Sequence, residues 1–164
     1  MKRFFMLALG LILISPAVLA LGEEVKVDDN KKVKFDYTLK VDGQVLETSV
    51  GKEPLEFTVG QKMIIPGLER ELKGMKVGEE KSITVLPEDG YGQVNPQAFM
   101  DVPKTTFPKD FDFTVGNVIE LSGPNGETVP GTIAEVKADA VSVNFNHPLA
   151  GKTLVFDVKI IGIE

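Results

Sequence analysis

Two tyrosines, Tyr37 and Tyr91, and ten phenylalanines are spread through a chain with no cysteine, no tryptophan and a single histidine, His147. This inventory removes whole classes of chemistry. Without cysteine there is no disulfide, thiolate nucleophile, iron-sulfur ligation or cysteine-type zinc site, and one imidazole cannot make a histidine cluster. What remains for a site is aromatic faces, apolar walls and a few hydroxyls and carboxylates. Each tyrosine taken alone reads as a core residue with a satisfied hydroxyl, and His147 reads as a structural loop residue. Spacing adds to this. Val33, Phe35, Tyr37, Leu39 and Val41 alternate with Lys34, Asp36, Thr38 and Lys40, so Tyr37 shares a strand face with Phe35 and Leu39. Phe156 likewise shares a face with Leu154 and Val158.

The elements that must hold these side chains are mostly short strands. The run 33–41 ends at Asp42-Gly43, a dipeptide that accepts the positive φ angles of a two-residue hairpin turn, and Gln44 to Glu47 returns. Leu55 to Val59 is a third alternating piece, ending at Gly60 before the apolar patch Met63-Ile64-Ile65. Pro66 then opens a short amphipathic helix, with Leu68, Leu72 and Met75 on one face and Gly74 and Gly78 to stop it. Ser82 to Leu86 alternates again. Thr153 to Ile163 makes a long closing strand, and Val155 and Ile161 make its second face apolar enough for a central place in the sheet. Between Asn95 and Asn146 a separate set appears: a helical turn at Pro96 to Met100, strands at 118–121, 132–136 and 141–145, and turn residues at 123–126. A segment of that length with its own hairpins exceeds a loop and reads as an inserted subdomain.

At 164 residues, 43% of them hydrophobic and 26% charged, the chain has the composition of a globular protein with room for one ordinary domain, or for a small one carrying a second module. A net charge of −6 and the lack of any basic stripe argue against nucleic acid as a partner. Residues 1–20 combine a cationic start (Lys2, Arg3), an apolar run from Phe4 to Ile14, a break at Pro16 and the sequence Val18-Leu19-Ala20. This pattern predicts a secretory signal cut after Ala20, because the apolar run falls short of the roughly 20 residues that span a bilayer. The mature chain is then expected in the periplasm, without a membrane span.

Five stretches occur in the order and approximate spacing of one family: Phe35-Asp36-Tyr37-Thr38, Ile65-Pro66-Gly67-Leu68-Glu69, Val77-Gly78-Glu79, Asp89-Gly90-Tyr91-Gly92-Gln93 and Leu154-Val155-Phe156-Asp157-Val158. With them, essentially everything after residue 30 resembles the FKBP-type prolyl isomerases. The long insert, closing with Asn146-His147-Pro148-Leu149-Ala150-Gly151, is similar to that of the SlyD subgroup. The resemblance implies an α+β, strand-dominated fold: a twisted antiparallel half-barrel wrapped on one short helix, residues 21–94 and 147–164, with a small β-rich flap subdomain at 95–146 inserted in it. It also implies a proline site at Tyr37, Leu46, Glu47, Phe57, Ile64, Ile65, Leu68, Tyr91 and Phe156. In that site Phe57, Ile65, Leu68 and Phe156 would be walls, Ile65 and Tyr91 would hydrogen-bond the peptide, and Tyr37 with Glu47 would polarise one rim. Many family members have aspartate where this chain has Glu47. His147 and Leu149 would border the site, and Phe99, Met100, Phe107 and Phe145 would offer apolar surface to unfolded chains.

The implied activity is peptidyl-prolyl cis/trans isomerisation with no cofactor and no metal, by a monomer acting on proline-containing peptides and on unfolded or partly folded exported proteins. Rotation about an X-Pro bond meets a barrier of about 18–20 kcal/mol because amide resonance must be broken, yet no bond is made or cleaved. A dry aromatic bowl that disfavours the charge-separated planar amide therefore suffices in principle. Two other readings remain: a peptide-binding or assembly module that keeps the shape with little catalysis, and a β-rich small-molecule binder that rests on strand content alone.

Overall fold

In the computed structural model, residues 24–122 and 126–164 are described; the expected signal at 1–20 and most of the expected turn at 123–126 lie outside them. Two antiparallel sheets form. The first runs β2 (Gln44–Thr48), β1 (Lys32–Val41), β9 (Leu154–Ile163) and β4 (Glu80–Val85), with β3 (Leu55–Thr58) also paired to β1. The second runs β5 (Phe99–Pro103), β8 (Ala140–Asn144), β7 (Thr128–Val136) and β6 (Val118–Ser122). One α-helix, α1 (Pro66–Leu72), accompanies them among the described residues. The architecture is thus strand-dominated α+β, as the sequence pattern predicts.

The first sheet is built by period-two alternation. Val33, Phe35 and Leu39 on β1 and Leu154, Phe156, Val158 and Ile160 on β9 are all buried and join Phe57, Leu68, Leu72, Ile83 and Val85 in one core. Asp42 and Gly43 take φ values of 51° and 80°, the turn type their side chains favour. Strand β9 does lie inside the sheet, between β1 and β4. Helix α1 stops at Leu72, and Gly74 turns the chain with φ 85°. Met75 is therefore not helical, yet it is buried in the same core. The helix comes so close to the segment after β4 that a methyl on Gly67 would meet Val85 Cγ1 at 2.7 Å and Asp89 Cβ at 2.9 Å.

The second sheet has its own core of Ile119, Ile133, Val141 and Val143, ringed by Phe107, Phe111, Phe113 and Phe145. The helical turn expected at Pro96 to Met100 is shorter than the sequence suggests: a single 3-10 turn spans Pro96–Ala98, and Phe99 and Met100 already belong to β5. Cross-strand pairing of Phe99 with Asn144 and Met100 with Val143 overrides the local signal. Strand β7 also begins earlier than the alternation implies, at Thr128. Pro130 is tolerated there because its partner is Glu120 of β6 alone, pairing with β8 starting only at Thr132. Asn146 clips the two connections together: its Oδ1 accepts from Asn95 N at 2.8 Å and its Nδ2 donates to Asn95 O at 3.1 Å.

Candidate active site

On the first sheet, the register of β1 against β9 sets Leu39 beside Phe156 and Tyr37 beside Val158. The rings of Tyr37 and Phe156 stand 6.3 Å apart at 53°, and Tyr37 and Phe35 6.1 Å apart at 47°. The Leu68 side chain from α1, with Ile64 and Ile65 from the approach to the helix and Tyr91 from the segment after β4, joins these rings around a hollow of about 170 Å³. That volume admits a five-membered ring, or a few waters at about 30 Å³ each. Glu47 stands on its rim, opposite Leu39 in the β1–β2 ladder.

The polar groups are held by a second layer of bonds. Ser49, buried at the end of β2, accepts from Tyr37 N at 2.9 Å through its hydroxyl and donates the hydroxyl proton to Asp36 Oδ1 at 3.0 Å. Thr48 Oγ1 donates to the Tyr37 carbonyl at 3.0 Å. The residue is thereby pinned at both backbone groups. Burial and a hydrogen bond to the Glu47 carboxylate push the Tyr37 phenol up to about 12, so it is a neutral donor across the physiological range. Tyr91 is 40% exposed and stacks flat on His147, with centroids 3.8 Å apart and planes 3° from parallel. His147 Nδ1 accepts from Leu149 N at 3.1 Å, which orients the imidazole. Leu149 in turn packs against the first core. Arg70 forks onto Asp89 with bonds of 3.1 and 2.8 Å, tying α1 to the turn that precedes Tyr91, and holds the Asp89 carboxyl below the usual carboxylate range.

Of the proline-site residues expected from sequence, the hollow gathers Tyr37, Glu47, Ile64, Ile65, Leu68, Tyr91 and Phe156. It does not include Leu46, which is 57% exposed. The register jumps there from Leu39 facing Glu47 to Lys40 facing Val45, so Leu46 is the extra residue of a bulge. Phe57 lies one layer deeper, only 1% exposed, with its ring edge-on to Phe35 at 5.6 Å. His147 stacks on Tyr91 and Leu149 packs against the first core, and neither lines the hollow. Phe35, Leu39, Leu55 and Met63 do line it and were not singled out from sequence as site residues. For Phe35 and Leu39 the signal was present, since they share the face of Tyr37. Leu55 arrives only through its pairing with Phe35 across β3, and no local pattern announces Ser49.

Met100, Phe107 and Phe145 line a different and larger groove, about 980 Å³, on the second sheet, together with Phe111, Val118 and Leu121. Phe99 is not part of that lining. Phe107, Phe111 and Phe113 form a cluster with centroids 4.8 to 5.3 Å apart. Among the described residues no three acidic or histidine side chains are grouped to hold a metal ion, and no helix is long and apolar enough to cross a membrane.

Residues 23–161 match the family described as FKBP-type peptidyl-prolyl cis-trans isomerase. A probable FKBP-type 16 kDa peptidyl-prolyl cis-trans isomerase of Pseudomonas fluorescens is 33% identical over 142 residues, which cover 86% of this chain and 94% of the relative. A short-type peptidyl-prolyl cis-trans isomerase of Methanocaldococcus jannaschii is 38% identical over 80% of this chain and 90% of its own length. The FKBP-type isomerase SlyD of Treponema pallidum is 37% identical over 85% of this chain and 80% of its own. The chain therefore belongs to the FKBP-type peptidyl-prolyl cis-trans isomerases, with SlyD proteins among its relatives.

Proposed function

We propose that the isomerase takes the prolyl ring into the hollow bounded by Tyr37, Ile65, Leu68, Tyr91 and Phe156, and that residues 95–146 form a flap module that holds unfolded chain through the larger groove. The clients are exported polypeptides, a reading supported by the signal-like pattern of residues 1–20. The observation that carries the catalytic part is convergence: five chain segments bring four aromatic rings (Phe35, Tyr37, Tyr91, Phe156) and five aliphatic side chains (Leu39, Leu55, Ile64, Ile65, Leu68) around one small apolar hollow. A planar X-Pro amide is stabilised by charge separation, so an apolar surround weakens it relative to the twisted form, and each ~1.4 kcal/mol of difference is tenfold in rate.

Polar groups at the rim complete the bowl. The Ile65 amide, at the N-cap of α1, has no hydrogen-bond partner among the described residues and is free to donate to a substrate carbonyl. The neutral Tyr37 hydroxyl has the Glu47 carboxylate as its polar neighbour, at a position where many family members have aspartate. For the holding function the support is chemical: aromatic and methionine side chains around an open groove are adaptable apolar surface.

Two assays separate the halves. Isomerisation of a proline peptide is expected to fall at least tenfold in Phe156→Leu, while Met100→Lys and Val118→Lys, at groove positions 58% and 69% exposed, leave it unchanged. Refolding of a permanently unfolded, proline-limited protein should slow in the two lysine variants. Unchanged peptide turnover in Phe156→Leu rules out the hollow, and unchanged refolding in the lysine variants rules out the groove.

A further inference from the structure

We infer that the surface beside the hollow is a specificity subsite that reads an acidic residue near the substrate proline, with Lys62 as the reading group. The inference rests on the hollow being the prolyl site. A groove of about 730 Å³ shares Met63, Ile64, Ile65 and Tyr91 with the hollow, so one arm of a peptide whose proline fills the hollow continues into it. Its floor is apolar. Its charged lining is Lys62, Arg70 and Lys73 against one acid, Glu69.

Three of those four charges are already engaged. Arg70 forks onto Asp89, Lys73 pairs with Asp29 at 2.5 Å, and the Glu69 carboxylate accepts from Gly60 N at 3.0 Å. The Lys62 ammonium has neither an ion-pair partner nor a hydrogen bond among the described residues. It is thus a free cation at the mouth of the site in a chain where 24 acids face 18 bases.

The backbone makes this lysine more telling. Lys62 has φ 55°, in the left-handed region that glycine and asparagine adopt at less cost, so local conformation does not call for its side chain. The turn is also tied down: Gln61 N donates to Thr58 O at 3.2 Å, and Thr58 N to Met63 Sδ at 3.4 Å. Met63, the next residue, lines the hollow itself. One Cα step is about 3.8 Å and an extended peptide rises about 3.3 Å per residue, so the ammonium lies opposite side chains about one to three residues from the proline.

An exposed pair of this kind is worth about two- to fivefold in kcat/KM, and salt near 1 M should erase it. The test uses proline peptides carrying Glu or Gln at each of about three positions on either side of the proline, with the Glu/Gln ratio of kcat/KM measured at low salt. The wild type is expected to prefer Glu two- to fivefold at one or two adjacent positions. Lys62→Asn, which keeps the left-handed turn and removes the charge, should bring the ratio to about one, and Lys62→Glu should invert it. No preference at any position, or a preference that survives Lys62→Asn, overturns the subsite while leaving the hollow intact. Failure of the hollow looks different: Phe156→Leu would turn over the Gln peptides as fast as wild type, and the subsite would fall with it.

Discussion

Replacing the helical Gly67 by alanine ought, on propensity alone, to stabilise the protein, since alanine is favoured over glycine in a helix by about 1 kcal/mol. The structure reverses the sign. The new methyl would sit 2.7 Å from Val85 Cγ1, 2.9 Å from Asp89 Cβ and 3.0 Å from Asp89 O, against ordinary carbon contacts of about 3.5–4.0 Å. Neither neighbour has room to yield. Val85 is 2% exposed inside the first core, and Asp89 is held by Arg70 and by its backbone bond to Leu86 O at 3.0 Å. Overpacking of this size costs about 1–3 kcal/mol. Net of the propensity gain, Gly67→Ala is expected to lose up to about 2 kcal/mol, a fall in Tm of up to about 8 °C for a chain of this size. Urea unfolding followed by tyrosine fluorescence measures it cleanly, because there is no tryptophan and both tyrosines line the hollow. Trimming the nearest obstacle should recover part of the loss, so Gly67→Ala is expected to cost less in a Val85→Ala background. A Gly67→Ala protein more stable than wild type, or an equal cost in both backgrounds, would refute the packing argument.

Other outcomes follow from the same contacts. The Tyr37 phenol, raised to about 12 from a model-peptide value of 10.0, binds its proton more tightly folded than unfolded. Its contribution to stability is therefore complete below about pH 10 and lost as pH climbs towards 12. A tyrosinate absorbance titration should show a step near pH 12 that vanishes in Tyr37→Phe, and its persistence would contradict the assignment. Glu47→Gln should lower that step only part way, since burial is the larger cause of the shift. In the second sheet a methyl on Gly131 would collide with Val143 Cγ1 and approach the Phe145 ring at 3.0 Å. Gly131→Ala is expected to cost about 1–3 kcal/mol as read by circular dichroism, and to leave the tyrosine signals of the first core unchanged. Asn146→Ala removes the clip to Asn95 and should speed proteolysis at the two connections, with little change in either core.

How much of this was legible beforehand depended on the range of the forces involved. Alternation along 33–41 was enough to put Phe35, Tyr37 and Leu39 on one strand face, and along 154–158 to put Phe156 with Leu154 and Val158, because a strand's period of two is local geometry. The Asp42-Gly43 turn and the start of α1 at Pro66 were equally local. Phe57 was assigned a wall and is instead buried against the ring of Phe35, outside the hollow's lining, because depth within a core depends on what packs beside a residue. Leu46 was assigned to the site and points to solvent, because a bulge shifts its strand by one residue and no composition rule marks which residue that is.

From the sequence alone came the absence of cysteine chemistry, the acidic surface, the strand periodicity and the order of motifs, all properties of neighbouring residues or of simple sums over the chain. The tertiary structure alone decided which of those residues meet. It joined Tyr37 to Glu47 and Ser49, laid His147 flat on Tyr91, brought Leu55 into the hollow and left Lys62 unpaired at its mouth. Each depends on register and packing between segments far apart in the chain, where a slip of one residue turns a side chain to the opposite face.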